Sequence, residues 1–289
     1  MRKKDKTPRL LKLIRWIFPK LEWLMPSVAH KTFINLFFIP FHYTPTEKEK
    51  KAETFAEKFT VDVNGKRIQC FSWGQGKKVV VVIHGWAGRA TQFRRFLKPL
   101  NAAGYRVVGF DGPAHGQSEG KRTDIREFEE VLKKLIDKVG MPEAILAHSF
   151  GGGVALYAAM NGLPVKKLIN IASPTIGDEI IGNYIKAIGG SSKTKAFFKA
   201  YIQKKMGKPF DAFTSLFFVQ NLSRKIDLML VHDENDKEVG IQHPLALLEV
   251  YPSATLYRTS GLGHSRILKD DGVIQRCVTF IRSSSSLEG

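Results

Sequence analysis

The chain has 289 residues, 43% apolar and 25% charged, a balance that builds a globular core and excludes a largely disordered protein. Lysine and arginine number 45 against 27 aspartates and glutamates, a net charge of +18, so an anionic partner has to be weighed. Two cysteines, Cys70 and Cys277, are too few and too far apart for a disulfide framework or a cysteine metal site, which fits a reducing cytoplasm.

The first elements are basic. Residues 1–51 carry a net +8 and residues 175–225 a net +6, leaving only +4 for the rest. Leu10, Leu13, Ile14, Ile17, Leu21 and Leu24 recur at helical spacing, with Arg9, Lys12, Arg15 and Lys20 off that stripe. Trp16 and Trp23 lie seven residues apart, near one angular position, as interface-anchoring indoles do. Pro19 predicts a break into two short helices. Two readings follow: the segment docks on an anionic membrane surface, or the stripe packs on the protein body and its cations are solvated. No run reaches the ~18 apolar residues of a membrane span, and no secretory signal pattern is present.

From residue 58 the pattern alternates. Lys58 to Val63 and Arg67 to Trp73 predict two strands joined at Asn64-Gly65, a strong hairpin signal. Val79 to Ile83 is a continuous β-branched run, as in a strand buried on both faces of a parallel sheet. Then come a helix (90–103), a strand (105–110), a helix (125–139), a strand (143–148), a small-residue helix (152–160) and a strand (167–172). After an interval, strand, helix, strand and helix follow over 226–232, 244–251, 255–260 and 273–282. This rhythm predicts an α/β protein, a mostly parallel sheet with helices on both faces. Residues 175–225, rich in Lys, Gly and Phe, interrupt it and are expected to form a helical cap, leaving after the strand that ends at Ala172. The expected division is a basic N-terminal segment (1–57), a core (58–174 and 226–282), the cap (175–225) and a flexible tail (283–289). Leu287-Glu288 reads as a vector-derived ending.

The chemistry concentrates at strand ends. Ala147-His148-Ser149-Phe150-Gly151 stands between a strand and a helix, where a sharp turn holds a serine hydroxyl out and tolerates only small flanking residues. Gly151, Gly152 and Gly153 fit that turn. The Phe150 amide at the helix start, and the Trp86 amide after the Val79–Ile83 strand, are candidate donors to an oxyanion. A serine nucleophile needs a base and an orienting acid. His264 in Gly261-Leu262-Gly263-His264 is the candidate base, and Asp236 the candidate acid, with Asp233 and Glu234 as rivals.

With these residues in view, the chain resembles the α/β-hydrolase superfamily of serine hydrolases, of esterase and lipase type, over about residues 58–282. The resemblance rests on His84-Gly85-Trp86, on Asp111-Gly112-Pro113-Ala114-His115-Gly116-Gln117-Ser118, on the Ser149 turn, on the Asp236 segment and on Gly263-His264. Ala147 and Ala114 depart from it where glycine is usual. The resemblance implies the α/β-hydrolase fold with a helical cap, a Ser149–Asp236–His264 triad and an oxyanion hole at Trp86 and Phe150, with no cofactor and no metal. His84, His115 and Asp111 are expected to brace their loops.

The expected function is hydrolysis of a small-molecule carboxylic ester or thioester with an apolar acyl or aryl group, through an acyl-enzyme. The alternatives are a C–C bond hydrolase with the same triad, and a non-catalytic membrane- or protein-binding module. No nucleic-acid recognition motif accompanies the charge, so no specific nucleic-acid partner is expected. The protein is expected in the cytoplasm or at its membrane periphery, and its oligomeric state is not legible in the sequence.

Overall fold

The structure, a computed structural model, describes residues 9–284; most of the expected tail, Leu287-Glu288 included, lies outside them. Asn64 and Gly65 close a hairpin between β1 (Glu57–Val63) and β2 (Lys66–Trp73), with φ of 51° and 71°, the left-handed pair a two-residue turn needs. The β-branched run forms β3 (Lys78–Ile83), buried from Val79 onward. It is joined by β4 (Tyr105–Phe110), β5 (Ala144–His148), β6 (Lys167–Ile171), β7 (Asp227–Asp233) and β8 (Thr255–Thr259) in one eight-stranded sheet, ordered β1-β2-β4-β3-β5-β6-β7-β8. β2 runs antiparallel to β1 and β4, and every other pairing is parallel. This is the α/β-hydrolase arrangement expected from the sequence.

Strand side chains alternate between faces. Val80, Val82, Val107 and Leu146 enter a cluster with Phe96 and Leu100 of α4 (Arg94–Ala102) and Val273, Ile274 and Cys277 of α12 (Asp271–Arg282). The intervening residues Val81 and Ile83 are equally buried on the opposite face. Helix α5 (Ile125–Val139) is amphipathic and is started by Asp124, whose carboxylate accepts from the Arg126 and Glu127 amides. It packs against α6 (Phe150–Met160), the apolar helix that follows β5.

The chain divides into two compact units: residues 9–39 with 176–213, and residues 40–175 with 214–284. Both boundaries differ from the expected ones. Helix α3 (Glu47–Thr54) falls within the expected N-terminal segment, yet it belongs to the sheet-bearing unit, where Trp73 Nε1 donates to Ala52 O at 2.8 Å. Helix α9 (Ser215–Gln220) falls within the expected cap, yet it belongs to the same unit, with Phe218 fully buried and its ring centre 5.1 Å from that of Tyr157 of α6. That unit also holds α10 (Gln242–Val250) and α11 (Gly263–Arg266).

The other unit is all helical: α1 (Arg9–Leu24), α2 (Pro26–Phe37), α7 (Gly177–Ile188) and α8 (Ser192–Met206). Its core joins Phe18, Phe33 and Phe38 of the N-terminal stretch to Ile181, Ile185, Phe198 and Phe210 of the insertion. Glu22 fastens the two parts, accepting from the Ser191 amide at 3.0 Å and from the Ser191 and Thr194 hydroxyls at 2.6 and 2.5 Å. The N-terminal stripe and the insertion thus share a core, and the insertion's phenylalanines are largely taken up by it. Pro19 does not break α1, which runs unbroken from Arg9 to Leu24. The amide it lacks removes one bond to Arg15 O, while Phe18 beside it is 2% exposed and holds the turn by packing.

Candidate active site

Every candidate lies at the carboxyl end of a strand. Ser149 follows β5 and caps α6 with φ 51° and ψ −122°, a conformation a side chain rarely adopts. Its amide donates to Ile171 O at 2.8 Å, and its carbonyl accepts from the Gly152 amide at 2.9 Å and from Ser173 Oγ at 2.8 Å. These three bonds fix the strained turn. The neighbours explain the small residues. A Cβ on Gly85 would lie 2.9 Å from Ser149 Cβ, one on Gly151 2.4 Å from Ile83 O, and one on Gly152 1.7 Å from Asn170 Oδ1. Gly153 is different: its nearest neighbour would be Ser215 Oγ at 3.8 Å, so the turn does not require it. Ala147, where the family pattern has glycine, is fully buried in β5 without positive φ, whereas Ala114 takes the left-handed φ of 62° itself.

The rival acids separate cleanly. Asp236 Oδ2 lies 2.8 Å from His264 Nδ1, and its Oδ1 accepts from the Glu238 and Val239 amides at 2.8 and 3.0 Å. Burial works to raise the Asp236 pKa, but the His264 bond and charge and the two amides hold it below the ordinary carboxylate value. Asp233 is fully buried and accepts from the Asn235 amide at 3.0 Å, Thr259 Oγ1 at 2.8 Å and the Leu262 amide at 2.9 Å. It braces the loop that carries His264. Glu234 is partnered elsewhere, 3.9 Å from Arg258. Asn235 adds a second brace, its Oδ1 accepting from Ser260 Oγ and the Gly261 amide at 2.9 Å each. Sequence reasoning read Asp233 only as a rival acid and passed over Asn235; three polar residues in a row at a strand end were the available signal.

His148, where a local contact is expected beside Ser149, makes a long-range one instead. Its Nε2 lies 3.0 Å from His264 O, so Nε2 carries the proton, and the two rings are 4.8 Å apart. Burial and the neighbouring His264 push its pKa down to about 3, keeping it neutral. The residue before Ser149 therefore grips the backbone of His264. No hydrogen bond joins Ser149 Oγ to His264 among the described residues; such bonds often tighten only with substrate.

Two histidines shape the loop bearing Trp86. His84 Nε2 accepts from the Gly112 amide at 2.8 Å, leaving Nδ1–H to donate to Gly85 O at 2.7 Å. His115 Nε2 accepts from the Ala87 amide at 3.1 Å, and its Nδ1 faces Pro113 O at 2.9 Å. Burial lowers both, His115 to about 4. Asp111, raised to about 6 by burial, accepts from the Ala90 and Gln117 amides at 2.9 Å each. All three residues are engaged in loop bracing, as expected. Trp86 and Phe150 meet edge to face with ring centres 5.2 Å apart, and among the described residues neither amide donates to another protein group.

Residues 78–184 match a family model described as the alpha/beta hydrolase fold. The chain is 32% identical over 147 residues to the dihydrolipoyllysine-residue acetyltransferase component of the acetoin cleaving system of Pseudomonas putida, covering 49% of this chain and 40% of that protein. It is 32% identical over 114 residues to a monoacylglycerol lipase of Mycolicibacterium smegmatis, covering 36% of this chain and 41% of that one. The chain thus spans well under half the length of the curated relatives it matches. A solved structure of the Pyrococcus furiosus esterase Pf2001 superposes with a TM-score of 0.66 at 19% identity, covering 86% of this chain and all of that one. With its sheet order, its strand-end loops and its family match over residues 78–184, the chain has the alpha/beta hydrolase fold.

Proposed function

We propose that the chain is a serine hydrolase that cleaves a small-molecule carboxylic ester or thioester with an apolar acyl or aryl group. The observation that carries this reading is the buried Asp236 carboxylate 2.8 Å from His264 Nδ1, with His264 gripped by the residue next to Ser149. His264 Nε2 takes the Ser149 proton as Oγ bonds to the substrate carbonyl carbon. The Trp86 and Phe150 amides receive the oxyanion, each such donor being worth about 10²–10³ in rate. His264 returns the proton to the departing oxygen or sulfur as its bond to carbon breaks, leaving Ser149 acylated. Water, deprotonated by His264, then releases the acid and restores Ser149. Asp236 keeps the imidazole oriented and stabilises its charged form. No cofactor enters these steps.

In this reading the enzyme meets its substrate at an anionic membrane surface on the cytoplasmic side; among the described residues no helix is long and apolar enough to cross a membrane. The test is covalent labelling by a fluorophosphonate, followed by a chain-length series of chromogenic esters. Labelling that requires Ser149, with turnover that rises with acyl length, supports the proposal. An unlabelled but folded protein returns it to a non-catalytic binding module.

A further inference from the structure

We infer that the exposed face of α1 is a bilayer-docking surface, with an adjoining cationic cleft that takes lipid phosphate. The inference rests on the membrane part of the proposed function and is independent of the triad.

Helix α1 is apolar on two sides. Ile14, Phe18 and Leu21 face the helical unit's own core. Leu13, Trp16, Ile17, Lys20, Trp23 and Leu24 fall within about 120° on the opposite side, at 100° per residue. All six are exposed, Trp16 at 63% and Trp23 at 82%. The stripe read from sequence is therefore divided: Ile14 and Leu21 turn inward, while Leu13, Ile17 and Leu24 turn out beside the two indoles. A helix with two apolar faces needs two partners, and among the described residues only one is an intramolecular core. Met25 and Val28 extend the exposed face around the turn into α2.

Charge identifies the second partner. Residues 9–39 and 176–213 carry twelve lysines and arginines against four carboxylates, a net +8. Glu22 is held by Ser191 and Thr194, Asp178 by Lys195 and Lys199, and Asp211 by Lys199, so at least three of those four carboxylates are occupied within the unit. On the flank of α1, Arg15 and Lys186 line a cleft of about 380 Å³ together with Lys195, which is already paired with Asp178. Lys20 lies within the apolar face, its Nζ 3.2 Å from the centre of the Trp16 ring. Its long stem covers apolar surface while its charge reaches outward, as cationic side chains do where an acyl layer meets headgroups. Two indoles at the boundary, cations along the flank and net positive charge match an anionic bilayer; an apolar protein surface would leave those cations unmatched.

The test uses the full chain as Ser149→Ala, so that no lipid is cleaved, with vesicles of phosphatidylcholine alone or mixed equally with phosphatidylglycerol. Sedimentation with the mixed vesicles, release by molar salt, and a blue shift of tryptophan emission are expected. Trp16→Ser with Trp23→Ser should abolish binding and the shift while leaving thermal unfolding, and in the Ser149 protein turnover of a soluble ester, unchanged. Arg15→Gln with Lys186→Gln should weaken binding about thirtyfold, the factor for about two surface cations. Equal binding to neutral vesicles, no binding to either, or full binding by the tryptophan pair variant overturns the inference. Self-association through Trp16 and Trp23 without lipid also overturns it, in favour of a protein partner.

Discussion

At the scale of single residues, the proposed mechanism separates side chains that would react from side chains that hold. Ser149→Ala should retain the fold and lose about 10⁶ in kcat, as other triad serines do; ester turnover within tenfold of the parent would remove Ser149 from the mechanism. The backbone makes a second prediction at the same position. With φ at 51° and ψ at −122°, Ser149 holds a conformation natural to glycine. Ser149→Gly should therefore be more stable than Ser149→Ala by about 1 kcal/mol, and both should be inactive. Equal denaturation midpoints would show that the turn stores no strain. The two aspartates should divide by symptom. Asp236→Asn should keep stability nearly intact while kcat falls by about 10⁴, because the imidazole loses its orienting partner. Asp233→Asn should lose about 2 kcal/mol of stability, since a buried amide cannot accept all three bonds, with a smaller loss of kcat. Each needs both a melting curve and a kcat, and the opposite pattern would place the orienting acid at Asp233.

At the scale of elements, the glycines of the Ser149 turn make the contrast. Gly152→Ala drives a methyl into Asn170 Oδ1 and Ser173 Oγ and should cost several kcal/mol and the activity with it. Gly153→Ala meets nothing closer than 3.8 Å inside α6 and should stabilise by up to about 1 kcal/mol through helix propensity. Both are read from one urea titration, and a destabilised Gly153→Ala would show that the helix start needs its third glycine for another reason. The turn itself was legible, because small residues between a strand and a helix have few other uses; which glycine mattered was not, because that depends on Asn170, eighteen residues away in β6. The strands of the sheet were readable for a similar reason: β-branched runs such as Val79–Ile83 and turn pairs such as Asn64-Gly65 act locally. The N-terminal helices were less readable. Ile14 and Ile17 have the same hydropathy and sit on one sequence stripe, yet one is in a core with the insertion and the other is exposed. Helical period marks apolar positions, but the partner that buries them is a long-range fact. The same limit explains Pro19, whose cost is offset by the packing of Phe18, and α3 and α9, whose places follow from Trp73 and Phe218.

At the scale of the molecule, buried histidines set the response to acid. His84, His115 and His148 are neutral in the fold, with His115 lowered to about 4 and His148 to about 3, chiefly by burial. Unfolded, each titrates near 6.5. Their folded values are depressed, so below pH 6.5 the unfolded chain takes up protons that the folded chain refuses, and stability falls as pH falls. Asp111 acts in the opposite sense, since its folded value of about 6 lies above the unfolded 3.8, so it takes a proton on folding between those values. His232 is lowered by burial in the same sense, so these histidines outnumber the one raised carboxyl and the unfolded state is ahead in protons below pH 6, at about 1.4 kcal/mol per pH unit for each net proton. Asp236 and Asp233 are lowered in the fold, so their contribution is present above pH 3.8 and is lost only as pH falls through their folded values. Acid unfolding should therefore begin above the carboxylate range, with stability falling as pH drops below about 6.5. Urea midpoints from pH 7.5 to 4.5 measure the slope, and His115→Gln should flatten it by about one proton. Midpoints that hold steady or rise across that range would mean that the buried histidines are solvated or charged in the folded protein.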